Sequence, residues 1–287
     1  MTTTRRKFIK KSGTALASAA LLSQIPMNLL TSCSKDSGLS LGFQVWTIRK
    51  KLIEDFANTL KEMSELGYSE VEMCSPLGYS ESGFGPLHEI EGGEMRKIIE
   101  DSGLTCTSSH FTPGELREHL ENRIEWAHDL GMKQMILSSF WLQQDASLDD
   151  FRRAASELNG IGEKTKAAGI QMGFHNHHME FEKRGDDLVY DVLLDEFDPD
   201  LVKMQFQVAV VNIGYKAADY FRKHPGCFIS SHLVDWSPEK EETVPVGQGI
   251  VDWPDFFEAA KKGGVKNFYV EIAPEMFKES AEFLSAL

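Results

Sequence analysis

From residue 40 onward, short apolar runs alternate with stretches in which apolar residues recur every three or four positions, which is the signature of alternating strand and helix. Leu41 to Trp46 reads as a first strand. Residues 51–66 carry Leu52, Ile53, Phe56, Leu60, Met63 and Leu66 at helical spacing, and Gly67 stops that helix. The same unit repeats. Strands are expected at Tyr68–Met73, Leu104–His110, Lys133–Ser138, Ile170–His175, Val202–Val208, Cys227–His232 and Asn267–Glu271. Helices are expected at 93–102, 114–130, 148–168, 187–196, 216–223, 253–262 and 276–287, several of them closed by a glycine (Gly103, Gly131, Gly169, Gly263). Eight strand–helix units in roughly 250 residues fit a single-domain (β/α)8 TIM barrel over residues 40–287. No G-x-G-x-x-G follows the first strand, which argues against a dinucleotide-binding sheet. The long Gly-rich segment 74–92 follows the second strand, so it should cap the barrel mouth.

The first 39 residues break this rhythm. Residues 1–32 hold Arg5, Arg6, Lys7, Lys10 and Lys11, then an Ala/Leu-rich stretch, and no acidic residue. Thr4-Arg5-Arg6-Lys7-Phe8-Ile9-Lys10 resembles a twin-arginine export signal, and Leu30-Thr31-Ser32-Cys33 resembles a lipobox that would lipidate Cys33. Residues 33–39 then read as a linker. The expected location is the periplasm or cell envelope, with membrane contact through the lipid anchor only.

Charge narrows the partners. The chain has 30 Lys+Arg and 44 Asp+Glu, a net charge of -14, and loss of residues 1–32 removes five cations and no anion, giving -19. A nucleic-acid partner is therefore not expected, since its backbone selects a basic face. A small-molecule substrate is, with a homo-oligomer possible. Hydrophobic content of 41% and charged content of 26% are globular values, which exclude a disordered chain. The 4 cysteines (Cys33, Cys74, Cys106, Cys227) do not form a disulfide framework or a zinc spacing.

In such barrels chemistry gathers at the C-terminal strand ends. The polar residues there are Gln44, Trp46, Glu72, His110, Ser138, Ser139, His175, Asn176, His177, Glu180, Gln207, His232, Asp235 and Glu271. His175, His232 and Glu271 come from the fifth, seventh and eighth strands and can converge over the barrel axis. Two imidazoles and a carboxylate suit a divalent ion such as Mn, Zn, Co or Fe. His177 shares a face with His175 by strand periodicity, whereas His178 should face out.

The mature chain resembles the sugar phosphate isomerase/epimerase family of xylose-isomerase-like TIM barrels, in an exported lipoprotein branch of Bacteroidetes type. The resemblance is carried by Phe43-Gln44-Val45-Trp46-Thr47-Ile48-Arg49, Gly67-Tyr68-Ser69-Glu70-Val71-Glu72, Gly173-Phe174-His175-Asn176-His177-His178-Met179-Glu180-Phe181, Ser231-His232-Leu233-Val234-Asp235, Val246-Gly247-Gln248-Gly249-Ile250-Val251-Asp252-Trp253 and Tyr269-Val270-Glu271. It implies a divalent metal (Mn, Zn, Co, Mg or Fe) held at His175, Gln207, His232 and Glu271. Gln207 departs from the pattern, because an Asp is expected there. A neutral amide is a weaker ligand and removes one negative charge. The implied chemistry is proton abstraction beside a carbonyl through an enediolate. Glu271 would be base or ligand, Glu72 a second acid/base or a hydroxyl contact, and His110 would polarise an oxygen. Gln44, Trp46, His177 and Glu180 would contact the sugar, and Asp235 would orient His232. The substrate is expected to be a non-phosphorylated keto-sugar. Isomerisation, epimerisation and β-elimination by a lyase stay open, as does a carbohydrate-binding lipoprotein without catalysis.

Overall fold

A computed structural model describes residues 40–287. Residues 1–39, where an export signal, a lipidated Cys33 and a linker are expected, lie outside the described residues. Eight parallel strands close into a barrel: β1 (Leu41–Gln44), β2 (Glu70–Cys74), β3 (Thr105–Phe111), β4 (Gln134–Leu137), β5 (Gln171–His175), β8 (Val202–Gln207), β9 (Phe228–Leu233) and β12 (Asn267–Val270). Each barrel strand pairs with its sequence neighbours, and β12 closes on β1 through Gly42 opposite Tyr269. Two hairpins escape the strand–helix pattern because each strand is only two or three residues long. They are β6 (Lys183–Arg184) with β7 (Asp187–Leu188), and β10 (Asp235–Ser237) with β11 (Glu242–Val244).

The outer ring comprises α1 (Arg49–Glu54), α2 (Phe56–Glu65), α3 (Gly92–Asp101), α4 (Pro113–Glu118), α5 (Leu120–Leu130), α6 (Leu148–Ala167), α7 (Val189–Glu196), α8 (Ala217–Lys223), α9 (Trp253–Gly263) and α10 (Phe277–Ser285). Two helices expected to be continuous are each broken in two. Asp55 adopts φ -153° and caps α2 by accepting from Asn58 N, so 51–66 divides there. His119 (φ -132°) divides α4 from α5. The other boundaries fall within two residues of expectation where capping is strong. At α6, Ser147 and Asp150 form a reciprocal capping box, and at α5 the chain stops at Gly131 with φ +85°.

The two faces of each strand differ. Val71, Met73, Phe174 and Phe206 are all buried, against the helix ring. The alternate positions point into the barrel and are polar: Glu70, Glu72, Ser108, His110, Gln205, Gln207, Ser230 and His232, all buried. Because strand side chains alternate, one short segment such as Glu70-Val71-Glu72-Met73 serves both the apolar ring and a polar interior. At the N-terminal end, Glu70 accepts from Ser40 Oγ (2.6 Å), Asn267 Nδ2 (3.0 Å) and Thr107 Oγ1 (3.3 Å), which plugs the barrel floor.

The segment from Val246 to Trp253 has a single organiser. The buried Asp235 carboxylate accepts from Gly247 N (3.0 Å), Gly249 N (3.1 Å), Val251 N (3.2 Å), Trp253 Nε1 (2.9 Å) and Trp236 N (2.9 Å). Five donors on one carboxylate make this loop a charge-assisted cradle. A Cβ at Gly249 would lie 2.1 Å from Asp235 Oδ1. One at Gly247, where φ is +93°, would lie 2.4 Å from the Phe283 ring. The glycines of this motif are thus required by the carboxylate and by packing. Among the described residues Asp235 makes no hydrogen bond to His232 and so does not orient it; its oxygens are taken by the loop.

Candidate active site

A cavity of about 600 Å³ opens at the C-terminal end of the barrel. The strand ends supply its floor: Gln44, Cys74, His110, His175, Gln207 and Glu271. Trp46, Tyr79 and the loop residues Ser138, Ser139, His177 and His178 form the walls. The 74–92 segment does cap the mouth. Tyr79 packs edge-on to Trp46 (5.9 Å) and Phe84 stacks behind it (6.3 Å). This segment is moored by Ser75 Oγ donating to the buried Glu115 (2.5 Å). Cys74 is held at the floor by Gln44 Nε2 (3.3 Å). Arg49 sits 4.4 Å over the Trp46 ring, but among the described residues no Lys or Arg lines the cavity.

His232 and Glu271 meet as expected, with His232 Nδ1 3.0 Å from Glu271 Oε2. His175 joins them, its ring 4.5 Å from that of His232. His110 stacks on His232 at 5.2 Å, so three imidazoles from β3, β5 and β9 share one point. His110, His175 and His232 each offer a nitrogen within 4.8 Å of the other two, all buried. That donor set fits a borderline divalent ion, with Glu271 beside it.

Gln207 is arranged otherwise. Its Nε2 donates to Glu271 Oε2 (2.7 Å) and its Oε1 accepts from Ala209 N (3.2 Å). The amide therefore presents hydrogens rather than a lone pair to the site. In place of the carboxylate expected on this strand, the chain offers His110 from across the barrel.

Glu72 does not reach the cavity. It is wholly buried beneath it, and donors surround both oxygens. Ser108 Oγ (2.6 Å) and Gln205 Nε2 (2.7 Å) serve Oε1, while His232 Nε2 (2.5 Å) and His110 Nε2 (3.2 Å) serve Oε2. A carboxylate this saturated is an electrostatic anchor and not an acid/base in contact with substrate. Burial opposes its charge, but the His110 and His232 imidazoles hold it well below the usual carboxylate range. Burial likewise opposes charge on His232, and the flanking Glu72 and Glu271 carboxylates overcome this and raise it to about 9. Glu271 is pushed up by burial and down by His232; the net direction is down, so it is ionised. His175 is driven well below its ordinary value by burial and then by its imidazole neighbours, so it is neutral.

Glu180, expected to contact substrate, is buried and lines no part of the cavity. It accepts from His177 N (2.7 Å) and so fixes the turn that carries His177 to the wall. His178, expected to face out, stands at the cavity wall with its Nε2 2.9 Å from Asn212 Oδ1. Trp46, Gln44 and His177 are where the sequence placed them. Gln205 is the residue that sequence reasoning missed. It is wholly buried at the centre of the imidazole cluster, and its only signal was an inward register two residues before Gln207.

The family model for the xylose isomerase-like TIM barrel matches residues 60–287. The chain belongs to the xylose isomerase-like TIM barrel family. Among solved structures, a sugar phosphate isomerase/epimerase from Parabacteroides distasonis is similar to this xylose isomerase-like barrel. It is 26% identical, with a TM-score of 0.73, over 88% of this chain and 96% of the other. The IOLI protein with a bound zinc atom (15% identity, TM-score 0.58, 86% and 94% covered) shares the fold. So does a D-psicose 3-epimerase crystallised with D-fructose (16% identity, TM-score 0.56, 84% and 89% covered). No curated protein matches the sequence.

Proposed function

We propose that this xylose isomerase-like barrel is a divalent-metal-dependent isomerase or epimerase acting on a non-phosphorylated keto-sugar. The observation that carries the reading is Glu271 at the cavity floor, with one oxygen held and one free. Oε2 accepts from His232 and Gln207, whereas Oε1 has no partner among the described residues. A fixed carboxylate with one free oxygen is the geometry of a general base. Glu271 Oε1 removes the proton from the hydroxyl-bearing carbon beside the carbonyl, and the C–H electron pair moves into the carbonyl as an enediolate. Return of that proton to the neighbouring carbon, with the hydroxyl proton passing to the former carbonyl oxygen, gives the isomer; reprotonation of the first carbon on its opposite face by a second donor gives the epimer. His232 and Gln207 keep the carboxylate oriented. His110, His175 and His232 would hold a divalent ion, with Glu271 beside it; taking the place of the His232 Nδ1 proton, it would supply Lewis acidity that favours the enediolate. Trp46 lines the cavity and offers apolar surface to a sugar. Among the described residues the lining has no Lys or Arg to pair with a phosphate, which supports a non-phosphorylated substrate. The names of the similar structures, an isomerase/epimerase and a 3-epimerase, support the same class.

The test is deuterium wash-in. The purified protein is incubated in D₂O with added Mn²⁺, Co²⁺ or Zn²⁺ and a panel of free ketoses and keto-glycosides. Exchange at the carbon beside the carbonyl is the expected result, and loss of a β-substituent in the same assay would reassign the enzyme as a lyase. Binding without exchange for every sugar and metal refutes catalysis. The export reading of residues 1–33 is likewise our proposal. It expects the wild-type chain in the membrane fraction and a Cys33→Ser chain released from it.

A further inference from the structure

We infer that Gln205 is a positioning residue that fixes the tautomers of His110 and His175 and so decides which ring nitrogens face the cavity with a lone pair. Gln205 Nε2 lies 2.7 Å from Glu72 Oε1 and 2.9 Å from Ser230 Oγ, and Gln205 Oε1 lies 2.7 Å from His110 Nε2 and 2.9 Å from His175 Nδ1. Glu72 is a carboxylate that already accepts from Ser108 and His232, so it can only accept. The reversed amide would set a carbonyl oxygen against it at hydrogen-bond distance and leave both oxygens without a proton between them. The amide nitrogen therefore faces Glu72 and the amide oxygen faces the imidazoles.

That orientation dictates the imidazoles. An amide oxygen accepts and never donates, so His110 must carry its proton on Nε2 and His175 on Nδ1. Glu72 Oε2, 3.2 Å from His110 Nε2, demands the same of His110. In the neutral rings the lone pairs then fall on His110 Nδ1 and His175 Nε2. Neither nitrogen has a hydrogen-bond partner among the described residues, and both rings line the cavity. His175 is thus held as the Nδ1–H form, which free imidazole side chains disfavour. One neutral amide sets two histidines at once, an orienting duty that metal sites usually give to a carboxylate or backbone carbonyl.

The tautomer assignment stands on hydrogen bonding alone. Its effect on metal affinity rests on the function proposed above, and the experiment separates the two. The full chain is labelled with ¹⁵N-histidine and two-bond ¹H–¹⁵N correlations are recorded at pH 8, metal-free, with His110 and His175 assigned through His110→Ala and His175→Ala. The expected wild-type pattern is Nε2–H for His110 and Nδ1–H for His175. In Gln205→Met, His175 reverts to Nε2–H and Co²⁺ titration shows affinity reduced about 10- to 100-fold. Gln205→Glu, whose protonated carboxyl can donate to Glu72 while accepting from both rings, restores the wild-type pattern. An Nε2–H signal for His175 in the wild-type protein overturns the inference, whether or not any variant folds. So does an unchanged His175 pattern in Gln205→Met. A tautomer switch without any Co²⁺ binding in the wild type would instead keep the tautomer assignment and refute the metal reading.

Discussion

Glu180 makes the stability of this barrel depend on pH in a direction opposite to that of most carboxylates. It is buried, and its side chain accepts from His177 N. Burial raises its pKa from 4.5 to about 7; the backbone N–H groups of His177 and of Glu180 itself pull it down by less. Between those two values the folded chain keeps a proton that the unfolded chain has released. Stability therefore falls as pH rises from about 4.5 to about 7 and is flat above. The gap corresponds to about 3 kcal/mol at 1.36 kcal/mol per decade. The perturbation is Glu180→Gln, which keeps an oxygen for His177 N and cannot ionise. Other groups titrate in the same window. His175, for one, is held neutral by burial and adds stability as pH rises. Only the difference between wild type and variant isolates Glu180.

The assay is urea unfolding of both proteins from pH 4 to pH 8.5. Below pH 4.5 the difference in unfolding free energy should be constant. Between pH 4.5 and 7 it should move by about 3 kcal/mol in favour of Glu180→Gln, and then level off. A pH-independent difference, or a wild type that gains on the variant as pH rises, would show that Glu180 is not held protonated by its burial.

Three further outcomes are expected. Asp235→Ala strips the acceptor from four backbone N–H groups and the Trp253 indole; it should cost about 3–5 kcal/mol, read as a thermal midpoint about 8–15 °C lower. Glu271→Gln should slow deuterium exchange by about 10²- to 10⁴-fold, with circular dichroism unchanged. Dialysis against a chelator should lower the thermal midpoint of metal-loaded protein, and readdition at 100 times the dissociation constant should return about 2.7 kcal/mol; identical melting curves in all three states would remove the metal from the account.

The barrel was legible because its outward-facing residues repeat at fixed periods. Val71, Met73, Phe174 and Phe206 mark strands whatever lies inside, and Leu60 and Met63 mark a helix face. Each Gly stop is a local event that reads from the chain alone. What failed was also local in origin. Asp55 and His119 break helices through one residue's backbone angle, which apolar spacing does not record. The β6–β7 and β10–β11 hairpins are too short to show a period.

The site was half legible for a different reason. A strand end tells which residues arrive at the mouth, so His175, His232 and Glu271 could be named. It does not tell how deep each side chain sits or what already holds it. Glu72 is two positions along its strand from Cys74, which lines the cavity, yet that one step places it below the floor among four donors. Asp235 follows His232 by three residues, but its carboxylate turns to the loop it organises. Gln205 is the extreme case. Alone it is a neutral residue with no chemistry to announce, and its meaning comes from four partners that lie 25 to 133 residues away in the chain. A buried amide among imidazoles and a carboxylate has only one orientation that satisfies every donor and acceptor. The closed barrel therefore turns an uninformative letter into the residue that orders its neighbours' protons.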